Sequence, residues 1–221
     1  MEKEFYSQFG QDRFLETTIF RGYKNGVFMD IGAHDGITIN NTLYFEKNNN
    51  WVGINIEPNR RVFDLLVANR PDSININCAI SNSNGEGEFF QNSGYTEMIS
   101  GLKAFYEHRH MARLLNENLE YGGTTEIVDV QTRTFNFICE EYDLTHINYL
   151  SIDVEGGEYE IIKTINFNKV FIDVIMFENN YQDTTDLIVE FLKYKNYFCV
   201  NRTTLIIYMI HQNSNFIRKH E

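Results

Sequence analysis

The sequence predicts an α/β fold, a mostly parallel, doubly wound sheet that ends in an antiparallel hairpin. Three observations carry this. Short apolar runs bounded by turn residues alternate with stretches of helical spacing, which implies right-handed crossovers between parallel strands. The first of these runs ends in a glycine turn, as the ligand-binding strands of open parallel sheets do. Near its end the chain carries two strand-like runs with only a short polar break between them.

In order, the strands are expected at "GVFMDIGA" (26–33), "WVGINIEP" (51–58), "SININCAI" (73–80), "INYLSIDVEG" (147–156) and "DVIMFENN" (173–180). Helices are expected between them. "RVFDLLVANR" (61–70) puts Val62, Leu65, Leu66 and Asn69 on one face, and "EYEIIKTI" (158–165) and "TTDLIVEFLKY" (184–194) space their aliphatics likewise. "NYFCVNR" and "TLIIYMI" (196–210) supply the hairpin. Residues 81–135 break the rhythm. They are polar, punctuated by glycine and carry a helix expected around 102–119, so they read as an insertion, either a substrate-facing lid or a solvated excursion. With no internal repeat and no linker, residues 1–221 read as a single domain.

The formal charge of -12 argues against nucleic acid or an anionic membrane as the main partner, because both require a basic face; only the tail "FIRKHE" hints at one. Three scattered cysteines without CxxC spacing read as reduced thiols, not as a disulfide frame or zinc site. The polar, acidic start "MEKEFYSQFGQDRF" does not look like a signal peptide, and no apolar run approaches the roughly 18 residues of a membrane span. The expected location is the cytoplasm.

The glycine turn reads Asp30-Ile31-Gly32-Ala33-His34-Asp35-Gly36. A nucleotide P-loop would need a Lys after the last glycine, and none follows Gly36. A dinucleotide site wants GxGxxG, and Asp35 beside a pyrophosphate would be repelled unless it turned away. S-adenosylmethionine has no phosphate and carries sulfonium and ammonium cations, so acids at the turn favour it. Glu57, closing the next strand, suits a carboxylate that accepts both ribose hydroxyls, although NAD sites use such an acid too.

Two further strand ends carry acids: Asp153, Glu155 and Glu158 in the fourth run, Glu178 and Asn179 in the fifth. In a parallel sheet these share one edge with Gly32 and Glu57. Asp153, Glu178 and Asn179 are hard oxygen donors suited to Mg²⁺ or Ca²⁺, which would lower the pKa of a substrate hydroxyl. The general base stays open among His34, His108 and His110, with Asp153 or Glu155 taking the proton where no metal acts.

With these residues in place, the chain resembles the FkbM-type methyltransferases, a family of S-adenosylmethionine-dependent O-methyltransferases. The likeness runs in order through "YSQFGQDRFL", "GVFMDIGAHDGITINNT", "WVGINIEPNRRVFDLL", "ISGLKAF", "VQTRTFNFI", "INYLSIDVEGGEYEIIKTINF" and "VIMFENN". It implies a Rossmann-like class I methyltransferase fold with a cofactor site at Asp30, Gly32, Ala33, His34, Asp35 and Gly36, extended by Asn41, Glu57, Pro58, Asn59 and Ala79. It also implies that Gln11 or Asp12, in the early "SQFGQD", folds over the cofactor. The chain departs from the family where His34 replaces a frequent Asn and where Glu178-Asn179-Asn180 replaces "EHN". The pairing of Asp153 with Glu178 and Asn179 is similar to the magnesium site of catechol O-methyltransferase.

The expected reaction is methyl transfer to a hydroxyl, with Asp153, Glu155 and His34 as the catalytic candidates. The expected acceptor is a sugar, nucleotide sugar or glycan, on which Tyr95, Phe105, Tyr106 or Tyr121 would stack, and a second copy of the chain is a further expected partner. The rivals are an NAD-dependent oxidoreductase or epimerase, and a protein that binds the cofactor without catalysis.

Overall fold

The computed structural model describes residues 4–217, so Arg218–Glu221, the basic part of the tail, lie outside the described residues. Among the described residues, eleven strands form two sheets. In chain order they are β1 (Val27–Ile31), β2 (Val52–Ile56), β3 (Ile74–Ile76), β4 (Ala79–Ile80), β5 (Gly85–Gly94), β6 (Gly101–Leu102), β7 (Gly123–Arg133), β8 (His146–Ile152), β9 (Phe171–Glu178), β10 (Tyr197–Arg202) and β11 (Ile206–His211). The main sheet has the order β10-β11-β9-β8-β1-β2-β3. Its strands are parallel from β3 to β9, and β10 and β11 close it as an antiparallel hairpin against β9.

Alternation along the strands divides the core. Met29, Ile31, Leu150 and Ile152 face one layer, which holds helices α5 (Phe135–Glu141), α6 (Glu158–Ile162) and α7 (Gln182–Tyr194) through residues such as Phe135, Ile161 and Leu192. Phe28, Tyr149, Val174 and Met176 face the other layer, an aromatic cluster with Phe20, Tyr44, Phe45 and Trp51. Those four residues come from the first helix, α1 (Gln11–Phe14) with its π-helical continuation Leu15–Phe20, and from α2 (Leu43–Asn49) and its edge. Helix α3 (Arg60–Asn69) buries Val62, Phe63 and Leu66 and leaves Leu65 exposed, so its inner face is turned by one position from the 62-65-66-69 stripe. Phe63 takes the inner place by packing with Leu66 on Ala33 of the glycine turn.

Two further expectations are revised. The run 73–80 is two strands: β3 stays in the main sheet, and β4 leaves it to pair with β7. Asn77 makes the break, because its side-chain amide donates to the carbonyls of Glu57 and Pro58, at 2.8 and 3.0 Å. The insertion forms a second sheet, β4-β7-β5-β6, with its own small core of Ala79, Phe89 and Leu102. Its helix, α4 (His108–Tyr121), starts later than expected because Tyr106 folds 99–106 back on itself through a hydroxyl bond to the Ile99 carbonyl. Among the described residues, no helix is long and apolar enough to cross a membrane.

Candidate functional site

The main sheet reverses its strand order between β1 and β8, since the chain moves outward from β1 to β2 and β3 and then returns to β8 on the other side. A crevice opens at such a point, outside the carboxyl ends of the strands. Gly32 lies directly over it. A Cβ built on Gly32 would sit 1.8 Å from the Asp153 carbonyl oxygen, and φ of +88° is already in the left-handed region. Glycine is thus required by the contact between the two strand ends. Gly32 and Ala33 donate their N–H groups to the Ile56 carbonyl at 2.9 and 3.1 Å, which pins the turn to β2.

A cavity of about 360 Å³ fills the crevice, within the range of small-molecule sites. Asp30, Gly32, Ala33 and His34 line it from the turn, and Glu57, Pro58 and Asn59 line it from the end of β2. Gln11, Asn41 and Ala79 complete the expected cofactor side. Glu57 is held rigidly: its two carboxylate oxygens accept the backbone N–H groups of His34 and Asn59 at 3.0 and 2.7 Å. Burial pushes its pKa up to about 7, against the pull of those donors. Asn41 is buried at the cavity wall with Oδ1 unpartnered, an acceptor waiting for a donor. An orphaned acceptor, a buried carboxylate and the absence of a phosphate cradle fit a cationic nucleoside such as S-adenosylmethionine.

Three expected cofactor residues lie off the cavity wall. Asp35 turns away, accepting the N–H groups of Ile37 and Thr38 and the Thr38 hydroxyl; burial raises its pKa less than these bonds lower it, so it lies below the usual range. Gly36 faces the Arg70 and Leu66 side chains, 2.6 Å from where its Cβ would be. Asp12 is fully buried and accepts from the Ser7 hydroxyl (2.5 Å) and the Tyr6 N–H (2.6 Å), which folds the N-terminal segment so that Gln8, Phe9 and Gln11 reach the cavity.

The opposite wall is acidic. Asp153, Glu155 and Glu178 each offer a carboxylate oxygen, all within 4.8 Å of one another. Burial raises the pKa of each, and Glu178 pushes Asp153 and Glu155 further upward by repulsion. The acid that braces the following loop is Glu158, whose Oε1 accepts the N–H groups of Val154 and Gly156 at 3.3 and 3.2 Å. Asn179, expected with Asp153 and Glu178, donates from Nδ2 to the Thr204 carbonyl at 3.0 Å, keeps a buried Oδ1 without a hydrogen bond and does not line the cavity, whereas Glu155 stands in the carboxylate cluster.

Of the three histidines, His34 carries its ring at the cavity wall with Nε2 3.2 Å from Glu97 Oε1, His108 is exposed at the start of α4, and His110 is fully buried behind Glu155. Of the four aromatics considered for stacking, Phe105 lines the cavity, whereas Tyr95 and Tyr121 meet each other at a tilt of 37° and Tyr106 packs on Phe90 and His110. Arg70 was not foreseen from the sequence. It is fully buried at the end of α3, pairs with Glu46 at 2.9 Å, and donates to the Gly36 carbonyl and Asn40 Oδ1 at 3.2 and 3.1 Å. Asn40 and Thr42, bonded to Asp30 at 3.0 and 2.9 Å, continue this polar brace under the turn.

The family profile described as "Methyltransferase FkbM domain" matches residues 30–199. No curated protein matches the chain. Among solved structures, the chain is similar to a methyltransferase FkbM from Methylobacillus flagellatus KT, at 13% identity and a TM-score of 0.47, over 85% of this chain and 44% of that one. It is also similar to a precorrin-6y C5,15-methyltransferase from Geobacter metallireducens GS-15 (15% identity, TM-score 0.45, 85% of this chain and 82% of that one). A third is the fibrillarin pre-rRNA processing protein of Methanococcus jannaschii, at 11% identity and a TM-score of 0.43, over 86% of this chain and 68% of that one.

Proposed function

Because the chain belongs to the FkbM methyltransferase family, with an α/β class I methyltransferase fold and the S-adenosylmethionine dependence that this implies, we propose that it methylates a hydroxyl oxygen of a sugar, nucleotide sugar or glycan. The observation that carries the reading is the cavity's two unlike walls, the glycine turn with Glu57 on one side and Asp153, Glu155 and Glu178 on the other. Bound S-adenosylmethionine supplies an electrophilic methyl group on a positively charged sulfur.

Glu57 is the group for the ribose hydroxyls: fixed by two backbone donors, it keeps lone pairs for two more. Asn41 Oδ1 and Asp30 give the acceptor atoms for an ammonium group. The acids opposite have raised proton affinity in a buried setting, which suits them to take a hydroxyl proton near neutral pH. We assign the transfer's proton to these carboxylates, with Arg113 Nη1, 3.5 Å from Glu155 Oε2, offsetting their charge. The remaining work is alignment and exclusion of water. Phe9, Met98 and Leu102 provide an apolar rim for that.

The net charge of -12 supports a small polar acceptor over RNA, the class of molecule in the Methanococcus protein's name. The test is transfer of labelled methyl from S-adenosylmethionine to a panel of sugars, nucleotide sugars and glycans, alongside structured RNA and an Asp153→Asn variant. Label in an ether on a sugar, lost in Asp153→Asn with cofactor binding kept, is the expected result. Label in RNA alone would refute the acceptor assignment, and undiminished turnover by Asp153→Asn would refute the role of Asp153.

A further inference from the structure

The cavity has a neighbour. An open groove of about 790 Å³ lies between the second sheet and helices α6 and α7, within the size range of small-molecule sites. Leu102 and Phe105 line both spaces, so the two share a wall. That wall is fixed from the main sheet as well. A Cβ built on Gly157 would fall 2.6 Å from Phe105 Cδ2, so glycine at this position lets the Phe105 ring press against the loop that follows β8. Val154 of the same loop lines the cavity, and Gly156 lines the groove.

The groove's lining narrows what it can hold. Glu86, Glu88, Glu107 and Glu160 bring carboxylates to it, against one cation among the described lining residues, Lys103, which is paired with Glu88 at 2.9 Å. Such a surface repels phosphate and carboxylate groups. The other three acids have partners too: Gln131 Nε2 donates to Glu86 at 3.0 Å, Arg109 stands 2.7 Å from Glu107, and Lys163 stands 2.5 Å from Glu160. A carboxylate so held keeps lone pairs for hydroxyl donors. Ser83 and Thr184 add hydroxyls, and Tyr159 and the exposed Leu187 add apolar surface. Lys163 Nζ stands over one face of the Tyr159 ring at 5.3 Å, so a ligand would meet that ring on its other face or at its edge. Apolar platforms within a rim of hydroxyl acceptors match the two sides of a sugar ring, its C–H face and its hydroxyls.

We infer that the groove is an acceptor subsite for an uncharged oligosaccharide, whose terminal sugar reacts in the cavity while the following units lie beyond Phe105, along α6 and α7. The inference rests on the proposed sugar acceptor and narrows it. A nucleotide sugar would bring a diphosphate to an acidic lining, and a monosaccharide would leave the groove unused. Units held there are remote from the reacting oxygen, and binding energy gathered from them raises kcat/KM for the long acceptor alone. Chain length is therefore the quantity that reports on the groove. Tyr159 and Leu187 set specificity under this assignment, since they touch only sugar units that do not react.

The test is methyl transfer from S-adenosylmethionine to neutral gluco-, galacto- and manno-oligosaccharides, from monosaccharide to tetrasaccharide. UDP-glucose and a uronic-acid oligosaccharide serve as charged comparators, and the proteins are wild type, Tyr159→Ala and Leu187→Ala. In wild type, kcat/KM is expected to rise about tenfold or more from monosaccharide to tetrasaccharide. Tyr159→Ala should remove most of that gain while leaving the monosaccharide rate within about twofold of wild type. Where Tyr159→Ala disturbs the fold, Leu187→Ala, at an exposed position, is expected to lose about threefold or more on the tetrasaccharide alone. Equal use of monosaccharide and tetrasaccharide, a loss in the variants that is the same at every length, or UDP-glucose as the best acceptor would overturn the subsite and leave sugar methylation standing. Transfer to no sugar of any length, with the cofactor bound, would overturn the acceptor reading and the subsite together.

Discussion

Replacing Glu57 with Gln separates the electrostatics of the cofactor side from its hydrogen bonding. The folded chain holds this proton up to about 7, whereas a free Glu side chain ordinarily loses it at 4.5. A raised acid stabilises the fold fully below the unfolded value, and that contribution is lost as pH rises through the folded one. For a fully buried group the gap corresponds to about 3 kcal/mol between pH ~4 and pH ~8. Glu57→Gln removes the titration but also leaves one of the two backbone donors, His34 N–H or Asn59 N–H, facing an amide nitrogen, at a cost of ~1–3 kcal/mol that does not depend on pH. The variant should therefore be clearly less stable than wild type at low pH and close to it, or above it, at high pH. Urea unfolding of both proteins at the two pH values, without cofactor, measures the change. A stability difference that stays the same at both would refute the buried, raised carboxylate.

Three further outcomes follow from the same geometry. Gly32→Ala must move the Asp153 carbonyl or the turn, so a loss of ~2–5 kcal/mol is expected by thermal or urea unfolding; wild-type stability would mean that the two strand ends do not touch. Arg70→Ala strips Glu46, the Gly36 carbonyl and Asn40 of one buried cation and should cost about 3–5 kcal/mol, measured the same way. S-adenosylmethionine should bind with the same affinity in Mg²⁺ and in a chelator; a tenfold gain with Mg²⁺ would return the acids to a metal site.

The sheet was legible because its strands are buried on both faces and read as apolar runs with acids at their carboxyl ends. Position along the strand alone was enough to bring Gly32, Glu57, Asp153 and Glu178 to one edge. What the sequence concealed depended on side-chain direction. Asp35 and Asp30 sit five residues apart with the same chemistry, yet one closes its own turn and the other faces the cavity, a choice made by Thr38 and by Asn40 with Thr42. Asn179 lies off the cavity wall for a similar reason, since the carbonyl of Thr204, across the β9–β11 pairing, captures its amide nitrogen. The insertion was opaque because its polar strands pair over ten residues with little apolar alternation to announce them. Arg70 carried no sequence signal at all: a basic residue at a helix end ordinarily faces water.

Calorimetric titration of the wild-type protein with S-adenosylmethionine, S-adenosylhomocysteine and NADH decides whether the glycine turn and Glu57 hold what they are built to hold. Saturable heat from the first two ligands, weakened about tenfold or more in Glu57→Ala and absent with NADH, is the result expected if the carboxylate grips the ribose. Heat from NADH with none from S-adenosylmethionine would contradict it, and the cavity would then belong to hydride chemistry.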